Sequence, residues 1–228
     1  MTLRIEPVPV GPFQANAYIV IDDATQRAAI VDPGAEGDAL AARIRNAGLT
    51  LDAMWITHGH LDHIGGIAGV RRVFPDAPIW LHTADLPLYD SVVRQGRAYG
   101  IPIEAAPPPD REWNEDDVVT LGEHSFRIVH LPGHAPGHVA LVGRDDVFVG
   151  DVVFAGSIGR TDLPLSDPRA MQHSLERVAM WPPHLRLHPG HGPSTTVGVE
   201  VQTNPFLAGL ARPIGAAAEH RGHTPIPD

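Results

Sequence analysis

The sequence predicts an α/β fold built from two similar halves. Short strand-like runs bounded by turn residues come in two groups, at 3–31 and 118–149, and helical patterns follow each group along the chain. Each half is therefore expected to form a sheet with helices on one side. Stacking the two sheets would give a four-layer sandwich, although this order of elements is equally compatible with an ordinary α/β layer arrangement.

The first half begins with a meander of three strands, whose second turn is marked by Asp22 and Asp23. After the meander, apolar side chains at 40, 41 and 44 predict a helix that Gly48 caps. The predicted elements are, in order, strands at 3–10, 17–21 and 28–31, a helix at 38–47, a buried strand at 51–57, a helix at 65–73, a strand at 79–81, helices within 83–100 and a long proline-rich surface loop at 101–117.

The second half is expected to repeat this order. Asp167 as N-cap and Pro168 at the first helical position predict a helix over 167–180. The predicted strands lie at 118–121, 125–129, 139–142, 147–149 and 185–187, and one further helical stretch follows them. We expect a single domain over residues 1–214 and a flexible C-terminal tail at 215–228.

The composition excludes several kinds of chemistry. The chain has 228 residues, 43% of them hydrophobic, and a formal charge of -10, which disfavours a nucleic-acid partner. All 17 basic residues are arginine, so lysine chemistry is excluded, and the absence of cysteine excludes disulfides and thiolate sites. Residues 1–10 lack the features of a signal peptide, and no apolar run reaches the roughly 20 residues that span a membrane. We therefore expect a cytoplasmic protein without a membrane partner; the sequence does not indicate its oligomeric state.

The 14 histidines are the most informative feature, because several of them fall in one short segment, HGHLDH, directly after a buried strand. His58 and His60 are two positions apart, so an extended chain projects both imidazoles from the same side, where they can share one ion. Asp62 and His63 lie where the strand gives way to a helix, and the turning chain directs them to a second position. The N-terminus of the helix predicted at 65–73 is expected to point its partial positive charge at the same place.

Three more ligand-type residues follow predicted strands. They are His134 in the segment LPGHAPGH, Asp151 in a Gly-Asp pair, and His191 in the segment PGHG. Loops at one edge of a rigid sheet are where a metal site assembles from distant parts of a sequence. A histidine-rich surface loop is the alternative, and the repeated placement of these residues at strand ends disfavours it.

These segments resemble the metallo-β-lactamase-fold hydrolases, in which they occur in the same order, and the similarity covers roughly residues 8–210. Within that superfamily the chain is most similar to the glyoxalase II group, particularly its short bacterial members. Four further segments carry this similarity: VGPFQAN (10–16), VDPG (31–34), FAGSIGRTD (154–162) and NPFL (204–207). The resemblance implies a four-layer αββα sandwich of two mixed sheets packed face to face, with the helices outside.

The resemblance also implies two divalent metal ions. By motif, the first ion would be held by His58, His60 and His134, the second by Asp62, His63 and His191, and Asp151 would bridge the pair. Zn²⁺ is the expected ion, but iron or manganese would also suit this donor set, so the ligands alone do not select the metal. Asp32 and His138 are candidates for orienting the ligands, although they are equally compatible with a turn and a strand cap.

The implied reaction is hydrolysis of a small-molecule thioester of the S-2-hydroxyacylglutathione type. A hydroxide that bridges the metals would attack the carbonyl, and Asp62 would help to handle the proton. Arg160, Thr161 and Asp162 are predicted to contact a carboxylate of glutathione. Glyoxalase II enzymes also bind glutathione through basic residues of a C-terminal domain, whereas residues 192–228 contain only two arginines, so a smaller or different thiol is an open alternative.

A mono-iron glutathione persulfide dioxygenase is the alternative function within the same fold. Those enzymes resemble this chain in a Gly-Arg-Thr-Asp segment and use one iron on the first-site ligands. One iron per chain and oxygen consumption with glutathione persulfide would distinguish this reaction from thioester hydrolysis with two metals. A β-lactamase is disfavoured because those enzymes are exported and lack a bridging aspartate, and a nuclease is disfavoured by the acidic, lysine-free composition.

Overall fold

The computed structural model describes residues 3–215. Within these residues the chain forms two six-stranded sheets, a two-stranded ribbon and seven α-helices. None of the described helices is long and apolar enough to cross a membrane. The predicted tail at 215–228 lies, apart from its first residue, outside the described residues.

The first sheet is mixed. Its strands, in spatial order, are β1 (Leu3–Val10), β2 (Ala15–Asp22), β3 (Arg27–Val31), β4 (Thr50–Trp55), β5 (Ile79–Leu81) and β6 (Arg111–Glu112). The three-stranded meander pairs antiparallel, and β3 through β6 pair parallel. The helices between the parallel strands are α1 (Gly37–Asn46), α2 (Leu61–Ile64), α3 (Ile67–Val73), α4 (Leu86–Tyr89) and α5 (Val92–Ala98).

The second sheet is also mixed. Its strands, in spatial order, are β14 (Thr195–Thr196), β13 (Arg186–Pro189), β10 (Asp146–Gly150), β9 (Val139–Val142), β8 (His124–His130) and β7 (Val118–Leu121). The strands β10 and β13 pair parallel, and α6 (Pro168–Ala179) lies between them in the chain. The ribbon consists of β11 (Val153–Phe154) and β12 (Ser157–Ile158), and α7 (Val197–Thr203) is the last helix.

Three separate groups of buried side chains define four layers. Alternate residues of β2 belong to different groups: Ile19 and Ile21 pack with the helices α1 and α3, whereas Tyr18 and Val20 pack against the second sheet. The third group lies between the second sheet and α6. Both sheets are therefore buried on both faces, and the αββα sandwich expected from the resemblance is confirmed.

Most of the predicted elements are confirmed within two or three residues. The predicted helix at 65–73 corresponds to α3, which begins at Ile67, two residues later than expected. The short helix α2 before it was not predicted, and Gly65 and Gly66 separate the two helices. A Cβ atom on Gly66 would collide with the carbonyl oxygens of Pro33 and Gly34, so only glycine fits where the chain passes the loop after β3. The expected direction of the helix N-terminus toward the metal ligands stays a prediction.

The predicted surface loop at 101–117 was wrong in part. Within it, β6 adds a parallel strand to β5, and Trp113 is fully buried between the sheets. The Trp113 indole Nε1 donates to the carbonyl of Ile56 at 3.0 Å. This segment therefore closes the edge of the interface between the two sheets, because the large indole group finds both an apolar environment and a hydrogen-bond acceptor there.

Shortening Phe148 should test the importance of the interface between the sheets. Phe148 is completely buried there, so Phe148→Ala is expected to lower the free energy of unfolding by about 3–5 kcal/mol. The control Val118→Ala changes a side chain that is 62% exposed, and it should change this free energy by less than about 0.5 kcal/mol. Urea unfolding measures both values, and equal effects of the two variants would contradict the assignment of the central core.

Candidate metal centre

Three histidines from two loops form the first group of potential ligands. His58 and His60 follow β4, His134 follows β8, and all three are buried. One nitrogen from each ring lies within 4.8 Å of the other two, and His60 Nδ1 is 2.9 Å from His134 Nε2. Three nitrogen donors this close can share one metal ion.

Asp62, His63 and His191 form the second group. One donor atom from each residue again lies within 4.8 Å of the others. The Nε2 atom of His191 is 3.2 Å from Asp62 Oδ2, and His63 Nε2 is 3.7 Å from the same oxygen. The structure thus brings the second predicted trio together, although His191 comes from a loop far along the sequence.

Asp151 lies between the two groups. Its Oδ2 atom is 3.4 Å from His134 Nε2 and 3.6 Å from His191 Nε2, while Oδ1 is 3.5 Å from His63 Nε2. The six other residues predicted to hold metal therefore form two groups, and the carboxylate between them is 5% exposed.

Several of these donor atoms lack any hydrogen-bond partner. They are the Nε2 atoms of His58 and His63 and the Oδ1 atom of Asp151, each fully buried. Leaving a buried polar atom unsatisfied costs about 1–3 kcal/mol, so such atoms are rare in folded proteins. A divalent cation would satisfy their lone pairs, and imidazole and carboxylate donors suit such an ion. The residues present therefore fit the metal ions that the sequence implies.

Asp32 fixes the orientation of two of the histidine rings. Its carboxylate accepts from the backbone N–H and the hydroxyl of Thr57 at 2.7 and 2.6 Å, and from His63 Nδ1 at 3.0 Å. Since the Thr57 hydroxyl gives its proton to Asp32, it accepts from His58 Nδ1 at 3.0 Å. In its neutral form each ring then presents an unprotonated Nε2 toward the centre.

His138 holds the backbone next to Asp151. Its Nε2 atom accepts from the Asp151 backbone N–H at 2.9 Å, and its ring stacks on that of His58 at 4.9 Å. Gly150, at φ +49°, makes this contact possible, because a Cβ atom there would lie 2.6 Å from His138 Nε2. The candidate orienting residues Asp32 and His138 are thus both in contact with predicted ligands.

The loop that carries His191 is held by the first sheet. Asn16 Nδ2 donates to the carbonyls of Pro189 and Gly192 at 3.0 and 2.8 Å, and the Tyr18 hydroxyl donates to Pro189 at 2.6 Å. At Gly190 a Cβ atom would collide with Asp151 Oδ1. The backbone of this loop therefore lies so close to the Asp151 carboxylate that only glycine fits at position 190.

Asp85 is a positioning residue that no sequence pattern indicated. It is fully buried, and its carboxylate accepts from the backbone N–H of Gly59 at 2.8 Å and of Gly137 at 2.5 Å. It thereby ties the loop of His58 and His60 to the loop of His134. Burial raises the pKa of Asp85 to about 6, although the two backbone N–H groups oppose this rise.

The pKa values of two histidines in the centre are shifted in opposite directions. Burial, and then the neighbouring His134, lower the pKa of His60 to about 3, so this ring is neutral at pH 7. Burial also acts to lower the pKa of His63, but the carboxylates of Asp151 and Asp62 raise it well above its usual value. Without a metal, a proton on His63 therefore compensates the carboxylates, and a divalent cation would replace that proton.

The three residues predicted to contact substrate lie in different environments. Arg160 is exposed and forms two hydrogen bonds with Asp162, at 2.8 and 2.9 Å. Thr161 is buried, and its hydroxyl donates to the carbonyl of Ile214. The backbone carbonyl of Arg160 lies 2.8 Å from His134 Nδ1, so this loop also orients a predicted ligand.

A model of the Metallo-beta-lactamase superfamily matches residues 10–191. The chain belongs to this superfamily. It is 38% identical over 211 residues to hydroxyacylglutathione hydrolase GloC of Haemophilus influenzae, covering 90% of this chain and 98% of that protein. The predicted family resemblance is therefore confirmed.

Two solved structures are similar to this chain along nearly their whole length. TTHA1623 in a di-iron-bound form has a TM-score of 0.81 and 44% identity, covering 89% of this chain and 100% of that one. The BLEG-1 B3 metallo-beta-lactamase has a TM-score of 0.83 and 36% identity, covering 90% and 99%.

Removing the Asp85 carboxylate should loosen the two loops that it joins. Asp85→Ala is expected to weaken metal binding by about 10–100-fold, as is usual when a group that supports metal ligands is lost. Competition with a chromogenic chelator measures the affinity. Asp90→Ala, in the exposed turn that follows, is the matched control and should leave the affinity unchanged. Equal affinities for Asp85→Ala and wild type would contradict the positioning role.

The raised pKa of Asp85 also predicts a pH dependence of stability. Because the pKa is about 6 in the folded protein and 3.8 normally, the proton stabilises the fold fully below pH 3.8, and this stabilisation is lost as the pH rises through about 6. Asp85→Asn cannot ionise. Its free energy of unfolding relative to wild type should therefore increase by about 2.5 kcal/mol from pH 3.8 to pH 7. Urea unfolding of the metal-free proteins tests this, and a difference independent of pH would contradict it.

Proposed function

We propose that the chain is a binuclear metal-dependent hydrolase that cleaves a thioester of the S-2-hydroxyacylglutathione type. The observation that carries this proposal is the position of the Asp151 carboxylate between two separate groups of three donors. The similarity to hydroxyacylglutathione hydrolase GloC supports the substrate class.

In this proposal each group of donors holds one divalent ion. The first ion would be held by His58, His60 and His134, the second would be held by Asp62, His63 and His191, and Asp151 would contribute its carboxylate between them. Five imidazoles and two carboxylates suit Zn²⁺, and the di-iron-bound form of TTHA1623 supports iron as the alternative.

When bound, two divalent ions supply Lewis acidity toward the substrate carbonyl and lower the pKa of coordinated water to near 7. The chain supplies the orientation. Asp32 holds His63 Nδ1, and the Arg160 carbonyl holds His134 Nδ1, so neither ring can turn its donor atom away. The carboxylate of Asp62 is ionised at neutral pH, since His63 and His191 lower its pKa in spite of burial, and we assign it the role of accepting a proton from the attacking water.

For substrate contact we propose Arg160 together with Asp162. Thr161 is less suited to this role, because its hydroxyl already donates a hydrogen bond within the protein.

The alternative reaction, persulfide oxidation on one iron, needs only the first group of donors. The second group is complete in this chain, and its close spacing favours the two-metal reaction.

Metal analysis and activity on one sample test the proposal. Wild type is expected to contain two metal ions per chain by elemental mass spectrometry and to hydrolyse S-lactoylglutathione. His58→Ala removes a ligand and should lower kcat/KM by more than about 100-fold. The exposed residue His173 on α6 provides the matched control, and His173→Ala should retain both metals and activity.

Three outcomes would contradict the proposal. One is a single iron per chain with oxygen consumption on glutathione persulfide. Another is hydrolysis of a β-lactam with a higher kcat/KM than that of any thioester. β-Lactams should be assayed because the chain is similar to the BLEG-1 B3 metallo-beta-lactamase. The third is full activity of His58→Ala.

A further inference from the structure

A small apolar cavity opens beside the second group of donors. Its volume is about 110 Å³, and it lies between the turn after β1, the start of α1, the helix α2 and the segment that follows α5. The apolar side chains that line it include Val10, Phe13, Ala35, Leu61, Ile101 and Ile103. Asp62 belongs to both the cavity wall and the donor group, so the cavity adjoins the place where bonds would be cleaved.

The charged groups of the cavity are carboxylates. Asp62 and Glu36 line it, and no arginine or histidine is among its described lining residues. A substrate carboxylate would therefore find no basic side chain to pair with at this position, and an uncharged group would meet mainly hydrocarbon.

Arg160, which we propose for substrate contact, is not among the residues that line the cavity. Its guanidinium forms two hydrogen bonds with Asp162. Recognition of a charged thiol carrier by Arg160 would thus occur outside the cavity.

The walls of the cavity are held in place by contacts to the metal-binding loop. Gln95 on α5 accepts from the Leu61 backbone N–H at 3.0 Å and donates to the Gly59 carbonyl at 3.3 Å. Ile103 packs closely on α5, since a Cβ atom on Gly96 would lie 3.1 Å from Ile103 Cγ1. The cavity is therefore a pre-formed feature of the fold.

An aromatic pair joins the two loops at the side of the cavity. The rings of Phe13 and Tyr99 meet edge to face with centroids 5.3 Å apart, and both side chains are partly exposed. This contact links the turn after β1 to the segment after α5, so a ligand in the cavity would lie against the apolar ring of Phe13.

We propose that this cavity binds the acyl chain of the substrate and that the substrate class is a thioester whose uncharged acyl group carries about four or five carbons, such as a 2-hydroxyacyl group longer than lactoyl. This inference rests on the proposed function. An apolar cavity of about 150 Å³ accommodates benzene, so 110 Å³ suits a slightly smaller group. A thiol carrier such as glutathione is much too large for this volume, so only the acyl side of the thioester fits.

A series of acyl thioesters of one uncharged thiol, N-acetylcysteamine, tests this inference on the metal-loaded protein. Each buried methylene is worth about fourfold, so kcat/KM should rise at least about tenfold from acetyl to pentanoyl and fall again at octanoyl. Ile103→Asp introduces a charge into the wall and should reduce the ratio of pentanoyl to acetyl rates to near one. Val118→Asp, on the exposed edge strand β7, should keep the wild-type ratio.

Binding of thioethers separates this inference from the proposed function, because they bind but cannot be hydrolysed. S-Pentyl-N-acetylcysteamine should bind wild type at least about tenfold more tightly than the S-methyl compound, by calorimetric titration, and Ile103→Asp should lose this difference. Hydrolysis without any chain-length preference, or a higher kcat/KM for S-lactoylglutathione than for S-2-hydroxypentanoylglutathione, would overturn the inference. Tight S-pentyl binding without hydrolysis of any thioester would support the cavity and overturn the thioesterase function.

Discussion

The burial of the Asp151 carboxylate is the constraint on which the rest of the centre depends. This group lies almost out of reach of water, and its neighbours are His63, His134 and His191 instead of an arginine. A buried charge must be compensated, either by a proton on the imidazoles or by a cation. The surrounding residues hold Asp151 in this position. His138 accepts a hydrogen bond from the Asp151 backbone N–H, and the absence of a side chain at Gly190 allows the loop of His191 to approach the Asp151 carboxylate.

The double-sheet architecture makes this arrangement possible. Each sheet contributes loops to the same place, with His58 and His63 after a strand of the first sheet and His134 and His191 after strands of the second. The sheets are joined by an apolar core and by hydrogen bonds such as those that Asn16 and Tyr18 donate to the loop before His191. A shift of one sheet against the other would therefore separate the two halves of the centre.

The sequence predicted the parts that depend on local pattern. The HGHLDH segment, the Asp167 cap and the alternating strands each carry their signal within a few residues, and the structure has them where expected. Asp85 was missed because its partners, Gly59 and Gly137, are 26 and 52 residues away and the segment around it has no motif. The burial of Trp113 was missed for a similar reason, since a polar, proline-rich neighbourhood concealed a contact with Ile56 that is 57 residues away.

The central claim is that one buried carboxylate lies between two metal positions. Anomalous diffraction from crystals of the metal-loaded protein tests it most directly. The account predicts two peaks about 3.5–4 Å apart, the usual separation in two-metal sites, with the Asp151 carboxylate in contact with both. A single peak among His58, His60 and His134, with no second peak beside Asp62, His63 and His191, would contradict it.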